Sequence, residues 1–129
     1  KPDYVDAKYS YFFSSPTIKS VADRVIIVGS VSESGIYSIF SNSGEVDIAA
    51  PGESVYSTVL ENKFEISYGT SMAAPFVTGA AGMLFSLNSD LTGIEVKEIL
   101  INSSTTETQA DGFTYPVLNI GNAVRTIIE

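Results

Sequence analysis

The chain has 129 residues, 44% of them hydrophobic and 17% charged, with a formal net charge of −8. That is one domain or part of a larger one, with enough apolar residues for a core and too few charges for a disordered segment. The acidic balance argues against nucleic acid as a partner, because a phosphate backbone wants a basic face. The absence of Cys and His removes disulfides, thiolate metal sites, the usual general base and the commonest metal ligand.

No apolar run reaches the roughly 20 residues of a membrane span. The longest, 72–87, is interrupted by Pro75 and Thr78. The chain opens with Lys1-Pro2-Asp3, without a starting Met or a signal-like apolar stretch, and reads as a piece of a longer polypeptide.

Residues 1–22 are rich in Tyr, Phe and Ser without a clean period, which predicts an irregular, aromatic-rich segment; the core is expected over 23–129. The run Val25–Val31 is apolar on both faces and bounded by Ser34-Gly35, as in a parallel strand buried between layers. Val46–Ala50 reads as a second short strand, stopped by Pro51-Gly52. Residues 54–59 and 63–68 alternate around Glu61-Asn62, as a hairpin would.

Residues 71–87 predict a helix that is apolar all round and therefore buried all round. Each Gly in it costs about 1 kcal/mol against Ala in helix propensity, so packing must compensate. So short a chain can hardly cover this helix and a central strand on every side, so part of the fold is expected from outside these residues. Thr92-Gly-Ile-Glu95 is a capping box. The helix behind it carries Ile94, Val96, Ile99 and Leu100 on one face. Residues 105–115 read as a polar loop turning at Asp111-Gly112. Asn119 caps a last helix with Ile120, Ala123, Val124 and Ile127 inward.

The chemistry sits where the first helix begins, in YGTSMAAPFVTGAAG over 68–82. The first amides of a helix have no internal partner, and their dipoles favour negative charge. Ser71 at that point has its hydroxyl and its own N–H beside an electropositive end, which is half of an oxyanion hole. The bland alternative is a helix cap, the commonest role of a Ser or Thr before a helix.

Gly69-Thr70-Ser71-Met72-Ala73-Ala74-Pro75 resembles the nucleophile signature of the subtilisin-like serine proteases, the subtilases. Val25–Ser30, Phe40–Gly44, Val46–Gly52 and Val77–Ala81 resemble the segments around it. Residues 24–104 match well and 116–129 loosely, whereas 1–22 and 105–115 do not. Phe76 stands where the family commonly has His.

The resemblance implies a doubly wound, three-layer α/β fold with a mostly parallel sheet around a buried central helix, incomplete in this chain. It implies serine endopeptidase activity by an Asp–His–Ser triad in that chain order. The chain would be the C-terminal portion of the catalytic domain. Its partners would be the upstream half, in the same polypeptide or as a nicked chain, and a peptide or protein substrate. Ser71 would be the nucleophile and its N–H one oxyanion donor. Gly69 and Thr70 would shape the approach, and Ser67-Tyr68-Gly69 would line the leaving-group side. No cofactor would be required. Glu45 and Asp47 match acidic positions bordering a weak cation site in some subtilases, where a structural Ca²⁺ could sit; read as residues, they form an ordinary acidic strand edge. Secretion is expected from the resemblance. The other class of function is a pseudoprotease acting as a binding or scaffold module.

Overall fold

The computed structural model describes residues 16–19, 21–42, 44 and 46–129. Most of the aromatic-rich segment therefore lies outside the described residues. Its end is more regular than expected: Pro16–Lys19 forms a helical turn and Ala22–Arg24 a 3₁₀ turn.

Strands β1 (Val28–Val31) and β2 (Ile48–Pro51) pair in parallel, Val28 opposite Ile48 and Val31 opposite Pro51. The strand run predicted from Val25 is shorter as a ladder strand, although the Ile27 carbonyl already accepts the Asp47 N–H at 2.9 Å. Two further strands, β5 (Thr105–Thr108) and β6 (Thr114–Val117), are antiparallel to each other, with β6 parallel to β2. They complete the sheet in the order β1-β2-β6-β5. The expected polar loop over 105–115 is thus a hairpin, turned at Asp111-Gly112 with Gly112 at φ 86°. Thr105–Thr108 is exposed throughout and carries no apolar alternation, so only its pairing with β6 makes it a strand.

The separate hairpin of β3 (Val55–Val59) and β4 (Lys63–Ser67) falls where alternation put it. Glu61 and Asn62 both take positive φ, at 62° and 56°, as a tight hairpin turn demands.

Helix α1 (Thr70–Leu87) lies across β1 and β2. Ala73, Val77, Ala80 and Leu84 form its buried stripe against Ile48 and Ala50. Two more helices join this core. Helix α2 (Gly93–Asn102) contributes Val96 and Leu100, and α3 (Ile120–Ile128) contributes Ala123, flanked by Ile120, Val124 and Ile127 as expected. Ile94, expected on the inner face of α2, is instead exposed in its first turn. Both predicted caps form: Thr92 and Glu95 bond reciprocally, and Asn119 Oδ1 accepts the Asn122 N–H at 3.0 Å.

Side chains alternate across β2, so Ala49 points to the other face of the sheet. There it meets Val31, Tyr37 and Tyr115, with Phe113 stacked alongside. Burial pushes the Tyr37 hydroxyl above its ordinary pKa.

The helix expected to be buried all round is not. Phe76 and Phe85 are each 39% exposed, Met83 47% and Leu87 46%. They flank the buried stripe, and no described element covers them. By length and composition this helix could also cross a membrane, with a mean hydropathy of 1.3 over 18 residues. The helix runs through Pro75 and Thr78 as predicted, but those two residues do not keep its 18 residues from being apolar enough on average to pass as a span. Its stripe has a protein partner in the sheet.

Candidate active site

Ser71 stands at the carboxyl ends of the parallel strands, the edge where open α/β sheets place their ligands. The placement is built by backbone. Beyond β2, the Gly52 N–H donates to the Val31 carbonyl at the end of β1 at 3.0 Å. The Gly52 carbonyl then accepts the Gly69 N–H at 2.8 Å. Gly69 is the cap residue of α1, with φ 140° and ψ 163°. That conformation belongs essentially to glycine. Its carbonyl accepts the Met72 N–H at 2.9 Å and starts the helix.

The cap position belongs to Gly69, and no side chain makes a cap hydrogen bond. Ser71 is the second residue of the helix and is exposed. Neither its hydroxyl nor its N–H has a hydrogen-bond partner among the described residues. Thr70, next to it, is half-buried and makes the turn into the helix. On the other side Tyr68 is 63% exposed, and its hydroxyl accepts from Ser54 Oγ at 3.1 Å. Ser67 and Gly69 are half-buried. Exposed Phe76 stands one turn further along α1.

The two acidic positions part company. Glu45 lies outside the described residues. Asp47 is engaged in the fold: its Oδ2 accepts the Ile27 N–H at 2.7 Å and pairs with Lys97 Nζ at 3.1 Å. Lys97 also donates to the Val25 carbonyl at 2.6 Å, so the pair ties α2 to the chain entering β1. Among the described residues no group of three or more acidic side chains is placed to hold a metal ion.

Sequence reasoning missed Ser30 and Gly52. Ser30 is fully buried beneath the site, its Oγ 2.8 Å from Ser38 Oγ and its N–H donating to Ser41 Oγ at 3.0 Å. Gly52 had registered only as a strand stop. The one sequence signal available was the Pro51-Gly52 pair itself, which fits a close backbone approach as well as a stop.

A mostly parallel sheet, a small-residue helix docked across it and a free serine opening that helix at the strand ends define a subtilisin-like α/β architecture. Solved structures agree. The chain matches a cold-adapted subtilisin-like serine proteinase with a TM-score of 0.69 and 32% identity, over 74% of this chain and 36% of that one. It matches the Clostridium perfringens CspB protease with a TM-score of 0.72 and 31% identity, over 81% and 27%. The sequence model of the subtilase family, peptidase S8, matches residues 8–117. The chain belongs to the subtilase family. The match takes in 105–115 and much of 1–22, which the motifs alone left outside.

Among curated relatives, Subtilisin DY of Bacillus licheniformis is 42% identical over 94 residues, 72% of this chain and 34% of its own length. The major intracellular serine protease of Bacillus subtilis (strain 168) is 48% identical over 65 residues, half of this chain and 20% of its own length. Subtilisin-like protease 1 of Plasmodium falciparum is 36% identical over 107 residues, 77% of this chain and 15% of its own length. The chain thus spans about a third or less of the curated relatives it matches.

Proposed function

We propose that this chain is the C-terminal portion of the catalytic domain of a subtilisin-like serine endopeptidase, with Ser71 as its nucleophile. One observation carries the reading: Ser71 opens a docked helix, is exposed, and caps nothing. A capping role would give that hydroxyl a backbone partner. In the proposed reaction Ser71 Oγ attacks the scissile carbonyl and passes its proton to a His held by an Asp, both on the upstream half. The oxyanion that forms is stabilised by the Ser71 N–H and the field of the helix start. The intermediate collapses as the C–N bond breaks, the amine leaves with the proton returned by the His, and the acyl group left on Ser71 Oγ is then hydrolysed by water. Gly69 and Thr70 hold the approach, and Ser67-Tyr68-Gly69 borders the leaving group.

The upstream half is also the proposed cover for Phe76, Met83, Phe85 and Leu87, so α1 serves as a core helix and not as a membrane span. Without the His the Ser71 hydroxyl is an ordinary alcohol, and the isolated chain is proposed to be inactive. The reaction draws on no cofactor. Asp47 is proposed to serve the fold through Lys97 and not to hold Ca²⁺. Secretion is the proposed destination, although a relative named as intracellular stands in the same family.

The test is hydrolysis of casein by the full polypeptide against its Ser71→Ala variant. The proposal expects loss of turnover by at least about 10⁴-fold with folding retained. Equal turnover in the two would remove Ser71 from the chemistry. A full polypeptide that folds but never cleaves would favour the pseudoprotease.

A further inference from the structure

Gly52 sits in a contact too close for any side chain. A Cβ built on it would lie 2.3 Å from Ser30 Oγ and 2.6 Å from the Gly69 carbonyl oxygen. The two neighbours differ in kind. Ser30 is fully buried, its hydroxyl held by Ser38 Oγ and its backbone N–H by Ser41 Oγ. The Gly69 carbonyl is backbone, two residues from Ser71, and it accepts the first amides of α1. Gly52 also donates to the end of β1 and accepts from Gly69, at 3.0 and 2.8 Å. The start of the helix is therefore registered against the sheet through one residue, with the Ser30 hydroxyl as the floor beneath it.

We infer that Gly52 is a positioning residue for Ser71, setting where the nucleophile stands by letting the Gly69 backbone seat directly on the end of the sheet. This inference rests on the reading of Ser71 as nucleophile. Neither side can yield cheaply. Moving Ser30 Oγ disturbs a buried hydroxyl pair. Moving the Gly69 carbonyl shifts the origin of α1, and Ser71 with it. A methyl group at residue 52 should therefore displace the hydroxyl by a fraction of an ångström or more while the core of α1 stays docked.

The experiment uses the full polypeptide and measures the rate of phosphonylation at Ser71 by a fluorophosphonate probe, kcat and KM on casein, and thermal unfolding. The variants are Gly52→Ala, Ser30→Gly and the two combined. Gly93→Ala is the control, since its added Cβ meets nothing within 4 Å. Gly52→Ala is expected to stay folded and to label about 100-fold more slowly, the usual cost of a misplacement near 1 Å. Its kcat should fall while KM stays within about twofold, as expected for a group acting only on the transition state. Adding Ser30→Gly clears the side-chain clash but leaves the Gly69 carbonyl in place, so the labelling rate should stay low.

Recovery of the rate in the double variant would overturn the inference, because Gly52 would then merely make room for Ser30. A Gly52→Ala rate within about threefold of wild type would overturn it as well. So would failure of both Gly52 variants to fold, which would make Gly52 a requirement of the fold and not of the serine's place. If the wild-type protein itself is unlabelled at Ser71, the nucleophile reading fails; a labelled wild type with an unimpaired Gly52→Ala sinks the positioning role alone.

Discussion

Replacing Gly69 by Ala tests how the approach to Ser71 is made. Space is not the obstacle, since the nearest heavy atom to an added Cβ is the Ser71 nitrogen at 3.8 Å. The obstacle is conformation. At φ 140° and ψ 163° the backbone is in a region that costs a residue with a Cβ about 1–3 kcal/mol. Relaxing φ is no escape, because the Gly69 N–H is bound to Gly52 and its carbonyl to Met72, at 2.8 and 2.9 Å. Each bond given up costs about 1 kcal/mol net. Either route therefore destabilises by about 1–3 kcal/mol. Urea unfolding of the full polypeptide, with Gly93→Ala as reference, reads this directly. A Gly69→Ala variant as stable as Gly93→Ala would refute the reasoning, for it would show that the backbone at 69 is not held in the glycine region.

Three further outcomes follow from the structure. Lys97→Met leaves the Asp47 carboxylate and the Val25 carbonyl without their shared partner. With the two side chains 16% and 26% exposed, the loss should be about 2–3 kcal/mol, less than for a fully buried pair. Adding Asp47→Asn should recover part of it in urea unfolding, whereas strictly additive losses would show that the pair does not interact. The Glu95 carboxyl is held below its usual pKa by the Thr92 N–H and then the Thr92 hydroxyl. Its folded pKa is depressed, so the stability it adds is present above the ordinary glutamate pKa and is lost as pH falls through the folded value. The stability difference between wild type and Glu95→Gln should therefore shrink in acid, and a difference independent of pH would count against the capping box. Finally, the isolated chain should bind the dye ANS through Phe76, Met83, Phe85 and Leu87, and adding the upstream half should displace the dye. Isolated chain that binds no dye and stays monomeric would show that these residues need no cover.

Local signals were the most legible. The Glu61-Asn62 turn, the Thr92–Glu95 box and the Asn119 cap each depend on residues within a few positions of one another, and all three form. The β5–β6 hairpin was not legible, because Thr105–Thr108 carries no apolar alternation and Pro116 argues against a strand inside a sheet. It exists because β6 pairs beside β2 and offers β5 an edge. Apolarity of α1 was visible, but not its division into a stripe that meets the sheet and flanks that meet nothing described here. Ser71 was legible as a serine at a helix mouth. Gly69 was legible with it, as part of the same motif, but Ser30 and Gly52 were not, since they lie far from Ser71 in sequence and meet its helix start only through the close packing around Gly52.

The central claim is that Ser71 is a nucleophile parted from its base, and one measurement bears on it most directly. The full polypeptide and the isolated chain are treated with a fluorophosphonate probe, digested, and the adduct is located by mass spectrometry. The account predicts a single adduct at Ser71 in the full polypeptide and none in the isolated chain. An adduct at another residue, or none in a folded and complete polypeptide, would contradict it.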